Sequence, residues 1–209
     1  MKFQESPGVK VGGMNRIRMI LLAAWALPVL AVAQPAGTAG SANGEPGETG
    51  NYIAWSSARR LQWSDYRGRP DPRSDAAAST STEIGFEYRI RNGVPSYTLF
   101  CHFSPSRSWG RYRTSYILAH EQGHFDITEI FARRLFQALK ETPFHEGSFR
   151  RDVERLYTSI MQDREHMQQA YDQQTDYSRN QVQQEAWLKK IGDMLHQTET
   201  YAGYAQNSP

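Results

Sequence analysis

Apolar and polar residues alternate from Thr82 to Arg91, through Ile84, Phe86, Tyr88 and Ile90, and alternate again from Val94 to Phe103. A period of two is that of a strand with one buried face, and an Asn92-Gly93 pair between the runs suits a tight hairpin turn, so the pattern predicts two antiparallel strands. Past Pro105, Ser106 and Gly110 the period changes. From about Thr114 to Lys140 the residues Ile117, Leu118, Phe125, Ile127, Ile130, Phe131, Leu135 and Leu139 recur at helical spacing, and Thr142-Pro143 ends the run. A second helix is expected from a cap at Ser148 through Val153, Leu156, Ile160, Met167 and Ala170 to about Asp176. A third runs from about Asn180 to Gln197 on Val182, Ala186, Leu188, Ile191 and Leu195. Residues 52–81 carry Trp55, Leu61, Trp63 and Tyr66 amid Asp-Pro, Arg-Gly and an alanine run, which predicts short strands and loops. The class expected is α+β: a small antiparallel sheet packed on one long helix, with two further long helices after it.

The N-terminal stretch has a different character. From Met14 the chain reads Met-Asn-Arg-Ile-Arg, then an apolar run from Met19 to Ala33 that closes on Ala31-Val32-Ala33. A basic end, a short apolar stretch and small residues at the close are the marks of a signal peptide, so residues 1–33 read as a leader cleaved after Ala33, with Met14 as the true start. Residues 34–51, rich in Gly, Ala, Pro, Ser and Thr, read as a flexible linker; the folded domain is expected over 52–200 and a disordered tail over 201–209. The expected location is secreted or periplasmic, with no membrane span left after cleavage.

The leader takes with it four of 24 basic and one of 22 acidic residues, so the formal charge falls from +2 to −1. No basic block survives to track nucleic acid, which is excluded as a partner. Cys101 is the one cysteine, so no internal disulfide framework holds the exported domain. Within Tyr97–Phe103 it reads as a small strand residue.

Chemistry enters with His120-Glu121-Gln122-Gly123-His124 inside the first predicted helix. Histidines four apart project from one helix face and can grip a single ion, the pattern of a zinc site. In zinc peptidases with this spacing the glutamate next to the first histidine is no ligand; it accepts a proton from water and returns it to the leaving amine, the role expected of Glu121. Zinc lowers the pKa of water bound to it from about 16 to about 7 and polarises a scissile carbonyl, which needs an open coordination position and hence one further protein ligand, not two.

With these residues the chain resembles the bacterial DUF922 family, described as secreted zinc-dependent proteases. The resemblance rests on Leu61-Gln62-Trp63-Ser64-Asp65-Tyr66-Arg67-Gly68, Ala76-Ala77-Ala78 and Ser108-Trp109. It continues through His120-Glu121-Gln122-Gly123-His124-Phe125-Asp126-Ile127 and Tyr171-Asp172-Gln173-Gln174-Thr175, followed by Gln184 and Trp187. It implies a zincin-like fold, a Zn2+ cofactor and a peptide or protein substrate. The late block of the family often reads Tyr-Asp-x-Glu-Thr-x-His, and here Gln174 and Tyr177 depart from it. Asp172 is the acid that remains and is the third ligand expected, approaching the histidine pair from a later helix.

The competitors for that place are Glu129, His145, Glu146, His166 and Asp176. Glu129 is turned away from the histidine face, and His145 and Glu146 lie where zinc peptidases of the thermolysin type place their third ligand. Asp126 is expected to support the site without ligating. Tyr177 is open to two readings, a helix-end packing residue or a phenol that stabilises an oxyanion. The functional expectation is a zinc metallopeptidase; the alternatives are a non-catalytic envelope or interaction protein that keeps the fold, and a cell-wall peptide amidase.

Overall fold

The protein is described here by a computed structural model covering residues 17–20, 52–91, 94–145 and 147–206. The two alternating runs form one hairpin: β4 (Thr82–Arg91) and β5 (Val94–Phe103) pair antiparallel from Thr82 opposite Phe103 to Arg91 opposite Val94. That register leaves Asn92 and Gly93 as the connection, and the turn expected of them lies outside the described residues. β1 (Ile17–Ile20) pairs with β4 and β2 (Ile53–Ala54) with β5, giving the order β1-β4-β5-β2. β1 falls inside the stretch read as a leader, the rest of which lies outside the described residues; cleavage after Ala33 would leave the outer edge of β4 unpaired. A second, two-stranded sheet joins β3 (Ala78–Ser79) to β6 (Trp109–Gly110).

Alternation puts Ile84, Phe86, Tyr88, Leu99, Cys101 and Phe103 on one buried face of the hairpin. Two helices cover that face, α1 (Ser115–Glu141) and α2 (Phe149–Gln174). Phe103 meets Phe125 at 6.0 Å, Phe86 stacks on Tyr157 at 6.0 Å, and Tyr88 meets the edge of Phe149 at 5.2 Å. The Tyr157 hydroxyl donates to the Ile84 carbonyl at 3.2 Å, which ties α2 to β4. On the other face Gly85 faces Phe100 across the hairpin, and a Cβ there would lie 1.6 Å from the ring. Burial, then the Glu129 carboxylate, pushes the Cys101 thiol up, so it stays a protonated core residue.

Thr114 caps α1 by accepting from Ile117 N at 3.1 Å, and Asn180 caps α3 (Gln181–Gln197) by accepting from Gln183 N at 3.2 Å. The hairpin, α2, α3 and a C-terminal 3-10 helix (Glu199–Gln206) surround α1, so that every residue from His120 to Arg133 is buried. A helix this polar can be buried only if its side chains find partners. Gln122 accepts from Leu61 N at 2.7 Å and donates to Asp126 at 2.8 Å, and Asp126 also accepts from Trp55 Nε1 at 2.8 Å. Glu129 accepts from Arg133 Nε at 2.8 Å and from the Tyr204 hydroxyl at 2.6 Å.

That last contact corrects the boundary expected at residue 200. Residues 201–206 are not a tail: they continue the 3-10 helix, because the buried Glu129 carboxylate needs a second donor and Tyr204, only 5% exposed, supplies it. Among the described residues no helix is long and apolar enough to cross a membrane. Removing the hydroxyl with Tyr204→Phe leaves a carboxylate oxygen of Glu129 without this donor, at a cost of about 1–3 kcal/mol. Calorimetry should show a melting temperature several degrees lower, whereas an unchanged one would restore the tail.

Candidate metal centre

His120 and His124 stand one turn apart on α1, and Asp172 comes to them from the end of α2. Asp172 Oδ1 lies 3.0 Å from His120 Nε2 and 3.0 Å from His124 Nε2, and the two nitrogens are 3.2 Å apart. Among the described residues this is the group of three or more His, Cys, Asp or Glu side chains able to hold one ion. The competitors go elsewhere. Glu129 is paired with Arg133 and Tyr204, while His145, His166 and Asp176 are exposed; Glu146 lies outside the described residues.

Hydrogen bonds decide where the protons sit. Gln168 Nε2 donates to the His124 carbonyl at 2.9 Å and to Thr128 Oγ1 at 3.2 Å, so the oxygen of that amide must face His124 Nδ1, 2.6 Å away. His124 Nδ1 therefore carries a proton, and in a neutral ring Nε2 then carries a lone pair aimed at a carboxylate oxygen. Two lone pairs 3.0 Å apart in a buried site repel unless a positive charge joins them. A proton can do so: burial opposes the charge, but the Asp172 carboxylate outweighs it and pushes His124 up to about 9. Asp172, in spite of its burial, is held well below the usual carboxylate range by His124 and His120. A divalent cation fits the same place. Donors about 2.0–2.1 Å from one tetrahedral ion lie about 3.3 Å apart, close to the triangle found, and two imidazoles with a carboxylate are a donor set that zinc takes.

The second imidazole is oriented by stacking. Tyr171 lies flat on His120, centroids 4.5 Å apart and planes at 18°, and its hydroxyl donates to the His120 carbonyl at 3.2 Å. This approach explains the glycine of the motif: a Cβ on Gly123 would be 2.5 Å from the Tyr171 oxygen. Glu121, also buried, is not one of the converging donors. Its Oε2 accepts from Thr80 Oγ1 at 2.6 Å, and Thr80, having spent its proton there, accepts from the Tyr66 hydroxyl at 2.8 Å. Burial raises the Glu121 pKa, against the pull of His124, His120 and the Thr80 hydrogen bond.

A comparison with family models places this geometry. The family described as "Bacterial protein of unknown function (DUF922)" matches residues 41–179. The chain belongs to the DUF922 family. No curated protein and no solved structure matches it. The DUF922 match holds the hairpin, α1, α2 and all three converging residues, and it ends before Gln184 and Trp187. Those two still pack on the elements around the centre: Gln184 donates to the Tyr116 carbonyl at the start of α1 at 3.1 Å, and Trp187 meets Tyr171 at 5.5 Å.

The two departures from the family pattern do not touch the donor triangle. Gln174 is exposed and accepts from Trp187 Nε1 at 3.0 Å, a bond a glutamate would also accept. Tyr177 is 50% exposed, so it is not a buried packing residue. Asp126 contacts Trp55 and Gln122, holding the strap of residues 52–66 to α1 rather than an imidazole. Asp176, Tyr177 and Ser178 follow one another at φ of 49°, 52° and 69°. Left-handed backbone costs an L-residue about 1–2 kcal/mol, and here three non-glycine residues in a row adopt it. Tyr177 N–H donates to the Asp172 carbonyl at 2.8 Å, which ties this turn to the centre.

Sequence reasoning named the donors and Glu121 but missed Gln168, Tyr171 and Thr80 as their supports. Tyr171 and Gly123 stand in motifs the sequence shows; Gln168 and Thr80 carry no local signal, since their roles depend on how α2 and the residue that follows β3 pack on α1. Gln168→Met keeps the volume and removes the acceptor that fixes His124. Chelator competition should then give a zinc affinity lower by about 10–100-fold; unchanged affinity would remove Gln168 from the centre.

Proposed function

We propose that this protein is an exported zinc-dependent metallopeptidase of zincin-like architecture, acting on peptide or protein substrates in the periplasm or outside the cell. The observation that carries the reading is the convergence of His120 and His124, beside Glu121 on one buried helix, with Asp172 from the end of α2. Export is supported by the leader-like pattern of residues 14–33.

His120, His124 and Asp172 would hold Zn2+ through three protein donors, leaving room for substrate. Bound there, zinc supplies Lewis acidity, which polarises a peptide carbonyl and makes water a nucleophile near neutral pH. Glu121 accepts the proton of the attacking water and delivers it to the leaving amine. Its raised pKa suits it to hold that proton between the two transfers. Thr80 fixes one oxygen of Glu121, so the carboxylate is oriented before substrate arrives. Gln168 and Tyr171 hold the imidazoles, which keeps the donor triangle from relaxing as charge moves.

The same chemistry on a cell-wall peptide would make the protein an amidase; the substrate, not the centre, separates the two. The burial of all three donor residues, none above 8% exposed, favours a second reading, a non-catalytic envelope protein that retains the metal and the fold.

Purified wild type should carry about one zinc per chain, and His120→Ala should carry none. Asp172→Ala should weaken zinc binding far more than Asp176→Ala, and the reverse order would remove Asp172 as ligand. Glu121→Gln should keep the zinc and lower hydrolysis of a mixed peptide library by about 10²–10⁴-fold. Equal metal content in wild type and His120→Ala would sink the reading. A zinc-loaded wild type with no turnover on peptide or cell-wall substrates would leave the non-catalytic one.

A further inference from the structure

Among the described residues the exposed large hydrophobic side chains are Tyr112, Tyr177 and Val182, at 59%, 50% and 74%. All three sit on segments that border the metal centre. Tyr112 follows β6, and its N–H donates at 3.1 Å to the carbonyl of Ala77, three residues before Thr80. Tyr177 is five residues past Asp172 and hydrogen-bonded to it through the backbone. Val182 opens α3 just beyond the same turn. Gln184, two residues past Val182, donates at 3.1 Å to the carbonyl of Tyr116, four residues past Tyr112, so the start of α3 lies against the start of α1.

The turn itself is strained at three positions in a row. Glycine or asparagine would make the same shape at less cost. Packing does not offset the strain at Tyr177, whose ring is half exposed and stands beside Arg179, 5.8 Å from guanidinium to centroid. Strain of this kind, next to a candidate centre and presenting a solvent-facing aromatic, is the mark of a functional constraint. Scattered exposed apolar residues need no explanation, but three confined to two adjoining segments at one site do.

We propose that Tyr177, with Tyr112 and Val182, forms an apolar rim that receives an aromatic or aliphatic side chain of the peptide beside the bond offered to the metal centre, with Tyr177 making the central contact. This rests on the peptidase reading. The ring stands half exposed to solvent, and the hydrogen bond from Tyr177 N–H to the Asp172 carbonyl fixes the ring's backbone relative to the third donor.

The test uses the zinc-loaded protein and two probes, a capped phenylalanine hydroxamate and a capped glycine hydroxamate, with affinities read by calorimetry. Wild type should prefer the phenylalanine probe by about tenfold or more. Tyr177→Ala and Tyr177→Gly should both lose that preference while keeping zinc, and Tyr177→Gly should melt no lower than wild type because glycine accepts positive φ. A wild type without preference, or variants that keep it, overturns the rim and leaves the metal centre standing. Loss of zinc in Tyr177→Gly also overturns it, since the turn would then serve to place Asp172. Absence of zinc from wild type removes the peptidase reading and the rim together.

Discussion

A single carboxylate oxygen, Asp172 Oδ1, is shared by two imidazole nitrogens 3.0 Å away in a buried site. Without a positive charge between them, a proton or a metal ion, these groups would repel, because buried charges and opposed lone pairs are costly when left uncompensated. The need for that charge governs the arrangement around it. The end of α2 lies against α1 there, and Tyr171 crosses the helix at Gly123, where a Cβ would meet its oxygen. One turn before Asp172, Gln168 faces His124 Nδ1 with its amide oxygen, because its amide nitrogen is spent on the His124 carbonyl and Thr128.

The helix that carries the centre is also the core of the domain. Hydrophobic contacts hold one side of it to the hairpin and α2, while its polar residues Gln122, Asp126 and Glu129 are met by Leu61, Trp55 and Tyr204, drawn from both ends of the domain. Helix α1 is therefore positioned by hydrogen bonds that only the folded chain can supply. The segment of residues 52–66 contributes twice, bracing Gln122 and Asp126 through Leu61 and Trp55, and reaching Glu121 from Tyr66 through Thr80. Fold and centre share these contacts, so a loosened strap would disturb both.

Regular periodicity made much of this legible in the amino-acid sequence. The hairpin strands run over the residues the alternation predicts, and the three helices begin and end within a few residues of their expected bounds, because each has a cap or a breaker nearby. The histidine spacing pointed to one helix face, and Asp172 was the acid singled out for it. What stayed hidden depends on packing between distant elements. Gln168 looks like any polar residue of a long helix, Thr80 like any residue between two strands, and Tyr204 like part of a polar tail; each has a partner more than 40 residues away. The left-handed turn was also unreadable, since nothing in Asp176-Tyr177-Ser178 announces positive φ without a glycine.

X-ray absorption at the zinc edge of the metal-loaded protein tests the central claim most directly, because it reads the atoms around the ion without reference to turnover. Two imidazole nitrogens and at least one oxygen at about 2.0–2.1 Å, with no sulfur, is the result this account predicts. A shell with sulfur at about 2.3 Å, or one lacking imidazole, would place the metal elsewhere and contradict it.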